Sequence, residues 1–239
     1  MNAKPRPSAG VPFSGGLVGV GGFVLVALTG LVIRLAGQNR PTMIDSWWHD
    51  LLAGRRSGLA DAAALFLNIS GGTPSTTLVT VAVVAVLLVL RRGRQAITIG
   101  LTVALASGVC TVLKILVARP RPLDGIVDVG SDSFPSGHTT TAAALTIAIA
   151  LAFPQVWTWA LAGAWVASMA LSRTYLLVHW ASDVLAAAIL GASMALLVAA
   201  ILTRVCGDNP PRMRSLKKPS IARPGFTGKA QASTGSLLS

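Results

Sequence analysis

The sequence predicts an all-α polytopic membrane protein, a bundle of six transmembrane helices. Three observations carry this. Hydrophobic residues make up 53% of the 239 positions against 12% charged, and the mean hydropathy of +0.67 lies far from a soluble average. Several apolar runs reach the ~20 helical residues that cross a hydrocarbon core. The basic residues also fall on one side when six spans alternate across a bilayer.

The first span is placed at Leu17 to Gly37. It is too long for a signal-peptide core and has no convincing small-residue cleavage site behind it, so it is expected to be a retained anchor. Gly15 and Gly19 within and before it form a small-xxx-small pair, suited to close helix packing or simply part of Gly-rich flanking sequence. The segment "IDSWWHDLL", Ile44 to Leu52, is expected to be an interfacial helix anchored by Trp47 and Trp48, with His49 belonging to it rather than to any chemistry. Apolar character resumes at Leu59 and is broken by "SGGTPSTT" from Ser70 to Thr77. Leu59 to Ile69 is therefore a separate short helix, re-entrant or interfacial, which together with 44–52 is placed to cover a site.

The second span is Pro74 to Leu90 and the third Gln95 to Ala118. The fourth, Gly137 to Phe153, ends at the turn marked by Pro154. The fifth and sixth are Val156 to Val178 and Ala181 to Thr203. Beyond about Gly207, Pro, Ser, Gly and basic residues without apolar periodicity predict a disordered tail. The domain organisation is thus 1–16 cytoplasmic segment, 17–204 membrane domain, and 205–239 basic cytoplasmic tail.

A formal charge of +12 raises nucleic acid as a partner, but its distribution excludes it. Lys4 and Arg6, Arg91, Arg92 and Arg94, Arg204, and the tail basics Arg212, Arg214, Lys217, Lys218, Arg223 and Lys229 all map to one face, which the positive-inside rule makes cytoplasmic. Contact with anionic lipid headgroups is a secondary role for them. Every one of the eight acidic residues is Asp, and all but Asp208 map to the opposite, outer half, so acid chemistry must use Asp. Cys110 and Cys206 fall near opposite faces and are expected to pack rather than pair. No cofactor and no metal are expected, since His, Cys and Asp are not clustered as a zinc or two-metal site requires.

The outer helix ends concentrate what polar chemistry remains. Lys114 closes the third span and Arg121 follows in "KILVARPRP". A loop with Asp124, Asp128 and Asp132 leads to "PSGH", Pro135 to His138, and the fifth span ends in "SRTYLLVHWASD", Ser172 to Asp183. Each residue alone has an ordinary explanation. Lys114 and Arg119 could snorkel, His179 and Trp180 could form an interfacial belt, and Asp183 could complement a helix dipole. Taken together they make a phosphate-transfer site. His179 and Asp183 are four apart, so the carboxylate can accept one imidazole N–H and leave the other nitrogen as a nucleophile. Lys114, Arg121 and Arg173 supply three cations against a phosphate dianion, and the Ser136 and Gly137 amides at a helix N-terminus add donors. His138 is placed to protonate a departing alkoxide.

Three patterns, KxxxxxxRP at Lys114 to Pro122, PSGH at Pro135 to His138 and SRxxxxxHxxxD at Ser172 to Asp183, resemble the signature of the type 2 phosphatidic acid phosphatase family of integral-membrane lipid phosphatases. The resemblance runs from about Gln95 to Thr203. It implies a six-helix bundle with the site on the outer face, His179 as the nucleophile of a phosphohistidine, Asp183 as its orienter and His138 as the acid. It also implies that Lys114, Arg121, Ser136, Gly137 and Arg173 hold the phosphate, with no metal. Spacing from Lys114 selects Arg121 over Arg119, which is then expected to be a flanking interfacial charge. Soluble vanadium haloperoxidases share this site, but six spans make that alternative poor.

The partners implied are a lipid phosphate substrate and the bilayer, in a cell membrane with both termini cytoplasmic. Phosphatidic acid, phosphatidylglycerol phosphate and polyprenyl mono- or diphosphates remain alternatives. A non-catalytic lipid-phosphate-binding protein is the competing function, opposed by the two histidines, which binding alone does not need. A transporter is weaker, because its site is expected near the midplane.

Overall fold

The computed structural model describes residues 13–35, 38–130 and 132–206; the basic tail expected from 207 onward lies outside the described residues. Eight helices follow in order: α1 (Phe13–Leu35), α2 (Met43–Ala53), α3 (Gly58–Ser70), α4 (Thr73–Val89), α5 (Gly93–Val117), α6 (Gly137–Ala152), α7 (Val156–Tyr175) and α8 (Ala181–Cys206). The six expected spans correspond to α1, α4, α5, α6, α7 and α8, and the short helices at 44–52 and 59–69 are α2 and α3.

By length and composition α1, α5 and α8 are each able to cross a membrane alone. α3 and α4 satisfy the same test only as a pair, bent by 56° at their junction. The cause is in the sequence. Gly71 ends α3, and Thr73-Pro74 opens α4 with Pro in the first turn, where its missing N–H costs nothing. α6 is a shorter apolar helix of 16 residues.

α8 is the central element, packed against α1, α5, α6 and α7, while α6 is sandwiched by α5, α7 and α8. α1 runs antiparallel to α8: Gly16 meets Ala200, Gly19 meets Leu197 and Ser193, and Gly30 meets Val117 and Phe134 at the other end. Gly19 does the work expected of the small-residue pair, since a Cβ there would lie 3.0 Å from the Ser193 carbonyl. The outward faces of these helices expose Leu25, Leu28, Leu31, Val86 and Leu116, as surfaces solvated by lipid do, whereas Val26, Ile99, Ala144 and Leu190 pack inward.

The bundle has two distinct ends. At one, Arg94 donates to Thr203 and the Arg92 guanidinium sits 5.3 Å from the Phe153 ring centroid. At the other meet the C-termini of α1, α5 and α7 and the N-termini of α6 and α8. There α2 touches α7 and α8, and α3 packs on α7 through Ala64, Tyr175 and Val178. The loop between α5 and α6 is pinned at this end: Ser133 N–H donates to Arg119 O, Ile126 N–H to Leu176 O, and Trp180 Nε1 to Pro120 O.

Candidate active site

The C-terminus of α5 breaks at Ala118, whose left-handed backbone (φ 49°) turns the chain so that Arg119 and Arg121 both point back into the bundle. Lys114, one turn earlier, donates from Nζ to Asp132 O at 2.7 Å and so ties the returning loop to α5. Cys110, buried as expected for a packing residue, lies against Pro135 O at 3.6 Å.

His179 sits in the five-residue turn between α7 and α8, after Leu177 in a left-handed conformation (φ 55°) that branched side chains rarely adopt. Arg121 Nη1 donates to His179 Nε2 at 2.9 Å and to Val178 O at 2.6 Å. A guanidinium can only donate, so Nε2 carries the lone pair and Nδ1 the proton. That Nδ1 faces Asp183 Oδ2 at 3.6 Å, an electrostatic pairing longer than a hydrogen bond, and has no hydrogen-bond partner. Burial pushes the His179 pKa down to about 3, which the Asp183 carboxylate opposes and the Arg121 and Lys114 charges reinforce. The imidazole is therefore neutral, with its Nε2 lone pair accepting from the Arg121 guanidinium.

Asp183, in the first turn of α8, accepts the Trp180 N–H at 2.9 Å on Oδ2 and Arg119 Nη1 at 2.6 Å on Oδ1. Its backbone carbonyl accepts the Ser136 N–H at 3.3 Å. This amide was expected to point at an anion; instead it joins the PSGH turn to the α8 N-terminus. Gly137, the first residue of α6, keeps an amide that no intrahelical carbonyl can reach. Ser136 itself is buried, and its Oγ accepts from Thr139.

His138 and Arg173 meet on a residue that sequence reasoning did not single out. Asn68, near the end of α3, accepts Arg173 Nη1 on its side-chain oxygen and His138 Nε2 on its backbone carbonyl, the latter at 3.1 Å. A carbonyl only accepts, so His138 Nε2 carries a proton in this contact. The break that separates α3 from α4 is what brings Asn68 to this depth.

Arg119 corrects the expectation most clearly. It is not an interfacial charge but is fully buried, bridging Asp183 to Asp45 of α2, with Nη2 to Asp45 Oδ2 at 2.7 Å. Burial alone would raise the Asp45 carboxyl; the Ser182 N–H, Arg119 and the Thr42 N–H outweigh it and hold Asp45 below the usual carboxylate range. α2 is a helix where one was expected, and His49 belongs to it. Trp47 is largely exposed, and His49 Nε2 pairs with Asp124 at 2.9 Å, outside the phosphate-type cluster.

Against known proteins, residues 95–205 match the sequence profile described as the PAP2 superfamily. This segment is similar to that superfamily. The PAP2 segment runs from α5 to α8 and holds every residue of the three motifs. A stretch of 115 residues is 37% identical to decaprenylphosphoryl-5-phosphoribose phosphatase of Mycobacterium tuberculosis, in two strains, covering 45% of this chain. The matched stretch spans 62% of the length of those relatives.

The fold extends beyond the PAP2 segment. A crystal structure of a transmembrane PAP2-type phosphatidylglycerolphosphate phosphatase from Bacillus subtilis superposes with a TM-score of 0.66 at 22% identity, covering 82% of this chain and 98% of that one. Aquifex aeolicus LpxE superposes at 0.58 with 19% identity, covering 68% and 96%. The described residues therefore share the all-α fold of these two membrane proteins.

Proposed function

We propose that this protein is a membrane lipid-phosphate phosphatase acting through a phosphohistidine on His179. The observation that carries it is the 2.9 Å contact between Arg121 and the unprotonated Nε2 of His179, which sets a phosphate-binding cation on the one nitrogen able to attack phosphorus. Relatives named as phosphatases of a lipid-linked phosphosugar support the reaction class.

In the first step the Nε2 lone pair attacks phosphorus and the bond to the lipid oxygen breaks, its electron pair leaving with the oxygen, which takes a proton from His138. Lys114, Arg121, Arg173 and the Gly137 amide hold the phosphoryl oxygens as charge spreads onto them, and Ser136 keeps the PSGH turn in place beside them. Water then attacks phosphorus, gives its proton to His138, and the P–N bond breaks to release inorganic phosphate and restore neutral His179. No step uses a metal.

The substrate class we favour is a polyprenyl-linked phosphomonoester, with phosphatidic acid, phosphatidylglycerol phosphate and polyprenyl diphosphate as the competing members. The basic residues at the Arg92–Arg94 end support a cytoplasmic position for that end and, with it, a site at the extracytoplasmic face. Phosphate release by the purified protein across that panel, in chelator, tests the proposal. Turnover is expected to persist in chelator and to vanish in His179→Ala. An active alanine variant, or strict Mg²⁺ dependence, overturns it; binding without release favours a non-catalytic lipid-phosphate receptor.

A further inference from the structure

Behind the nucleophile lies a group of buried charges that the mechanism above leaves unused. Arg119 and Asp183 are 0% exposed and Asp45 is 1% exposed. The guanidinium spans the two carboxylates, with Nη1 on Asp183 Oδ1 at 2.6 Å and Nη2 on Asp45 Oδ2 at 2.7 Å. Ser182 closes the ring. Its N–H donates to Asp45 Oδ1 at 2.8 Å and its Oγ to Asp45 Oδ2 at 2.9 Å, and the same Oγ accepts from Arg119 at 2.8 Å. With Trp180 N–H on the second oxygen of Asp183, that carboxylate is held by a donor on each oxygen, and its plane is fixed toward His179.

The charge count gives the arrangement its purpose. One arginine facing one aspartate would cancel the carboxylate's pull on the imidazole. Asp45 occupies the other half of the guanidinium, so one cation and two carboxylates leave a net charge of −1 beside His179. That residual charge matters when Nε2 bonds to phosphorus and the ring becomes cationic, because it opposes the Arg121 and Lys114 charges that bear on the same imidazole. Asp45 lies in α2, outside the segment that matches the superfamily profile, and Arg119 is not one of the motif positions.

We propose, resting on the phosphohistidine mechanism above, that Arg119 and Asp45 are positioning residues for nucleophilic attack: Arg119 fixes the Asp183 carboxylate, and Asp45 offsets the arginine's charge so that Asp183 keeps its own for His179.

The test is rapid-quench measurement of phosphohistidine formation by the purified full chain in detergent, using radiolabelled polyprenyl phosphate with radiolabelled phosphatidic acid as second probe. Asp45→Asn, which keeps shape and removes charge, is expected to slow the burst about 10- to 100-fold, the scale seen when second-layer partners of a reactive group are removed. KM and the shift in Tm caused by inorganic phosphate should stay at wild-type values, because the phosphate-holding cations are untouched. Arg119→Met should be slowed at least as much, and Arg119→Lys should recover part of the rate. Ser182→Ala, which deletes no charge, gives a smaller loss in the same direction and serves if Asp45→Asn does not fold. A merely structural role would instead lower Tm and the phosphate-induced shift together, and a lysine variant no faster than methionine would agree with it; either result overturns the proposal. If His179→Ala forms no phosphoenzyme while Asp45→Asn and Arg119→Met burst at the wild-type rate, the positioning role falls and the phosphatase stands. If wild type itself forms none, the phosphatase falls.

Discussion

His179 is the residue on which proton balance and the proposed chemistry coincide. Its pKa is about 3 in the fold against 6.5 for an ordinary imidazole, with burial as the main cause. Between those values the unfolded chain binds more protons than the folded one, so stability is greatest above pH 6.5 and falls as the pH drops through the window, by up to about 1.4 kcal/mol per unit. Thermal unfolding of the detergent-solubilised protein at several values between pH 6.5 and 4 should show this slope, and His179→Gln, which does not titrate, should flatten it. An unchanged slope in the glutamine variant would assign the acid sensitivity elsewhere.

Spacing made Lys114, Arg121, His138, Arg173, His179 and Asp183 legible in the sequence, because a short helix or turn carries each set as a unit. Arg119 was misjudged for the converse reason. Its partners Asp183 and Asp45 lie 64 and 74 positions away, so nothing local distinguishes it from a snorkelling charge. Asn68 was invisible on the same ground, standing 70 and 105 positions from the two groups it joins.

Among the elements, the α6–α8 pair sets how His138 and the His179–Asp183 pair, the acid and nucleophile of the proposed mechanism, are registered. His138 and Thr140 belong to α6, Asp183 and Gly191 to α8, and the helices cross so closely that a Cβ at Gly191 would overlap Thr140 O and lie 2.6 and 2.7 Å from Ala143 Cβ and Ala144 N. Part of that obstruction is backbone, which cannot rotate away. Gly191→Ala is expected to cost about 1–3 kcal/mol by overpacking, lowering Tm. It should also reduce turnover at temperatures where the protein is still folded, since moving α6 moves His138. Gly163→Ala in α7, where a Cβ meets nothing within 4 Å, is the control expected to leave both measurements unchanged. The short helices α2 and α3 were legible as elements from their Trp pair and Gly-Pro break. What they deliver, Asp45 and Asn68, was not, because that depends on how far each dips into the bundle.

Among the described residues the helices gather the site residues at one end of the bundle and Arg92 and Arg94 at the other. α6 carries a consequence for the bilayer itself. Its 16 residues rise only about 24 Å, against a hydrocarbon thickness of about 30 Å. With its basic end, where Arg92 stacks on Phe153, set at one interface, a helix of this length would leave the PSGH turn several ångströms short of the opposite headgroup plane. A lipid phosphate must therefore sink, or the membrane thin locally, and either deformation scales with acyl length. Reconstituted in phosphatidylcholines of increasing chain length, the protein should turn over fastest in the thinner bilayers and lose rate steadily in thicker ones; a flat profile would mean that the headgroup reaches the turn without any bending of the membrane around it.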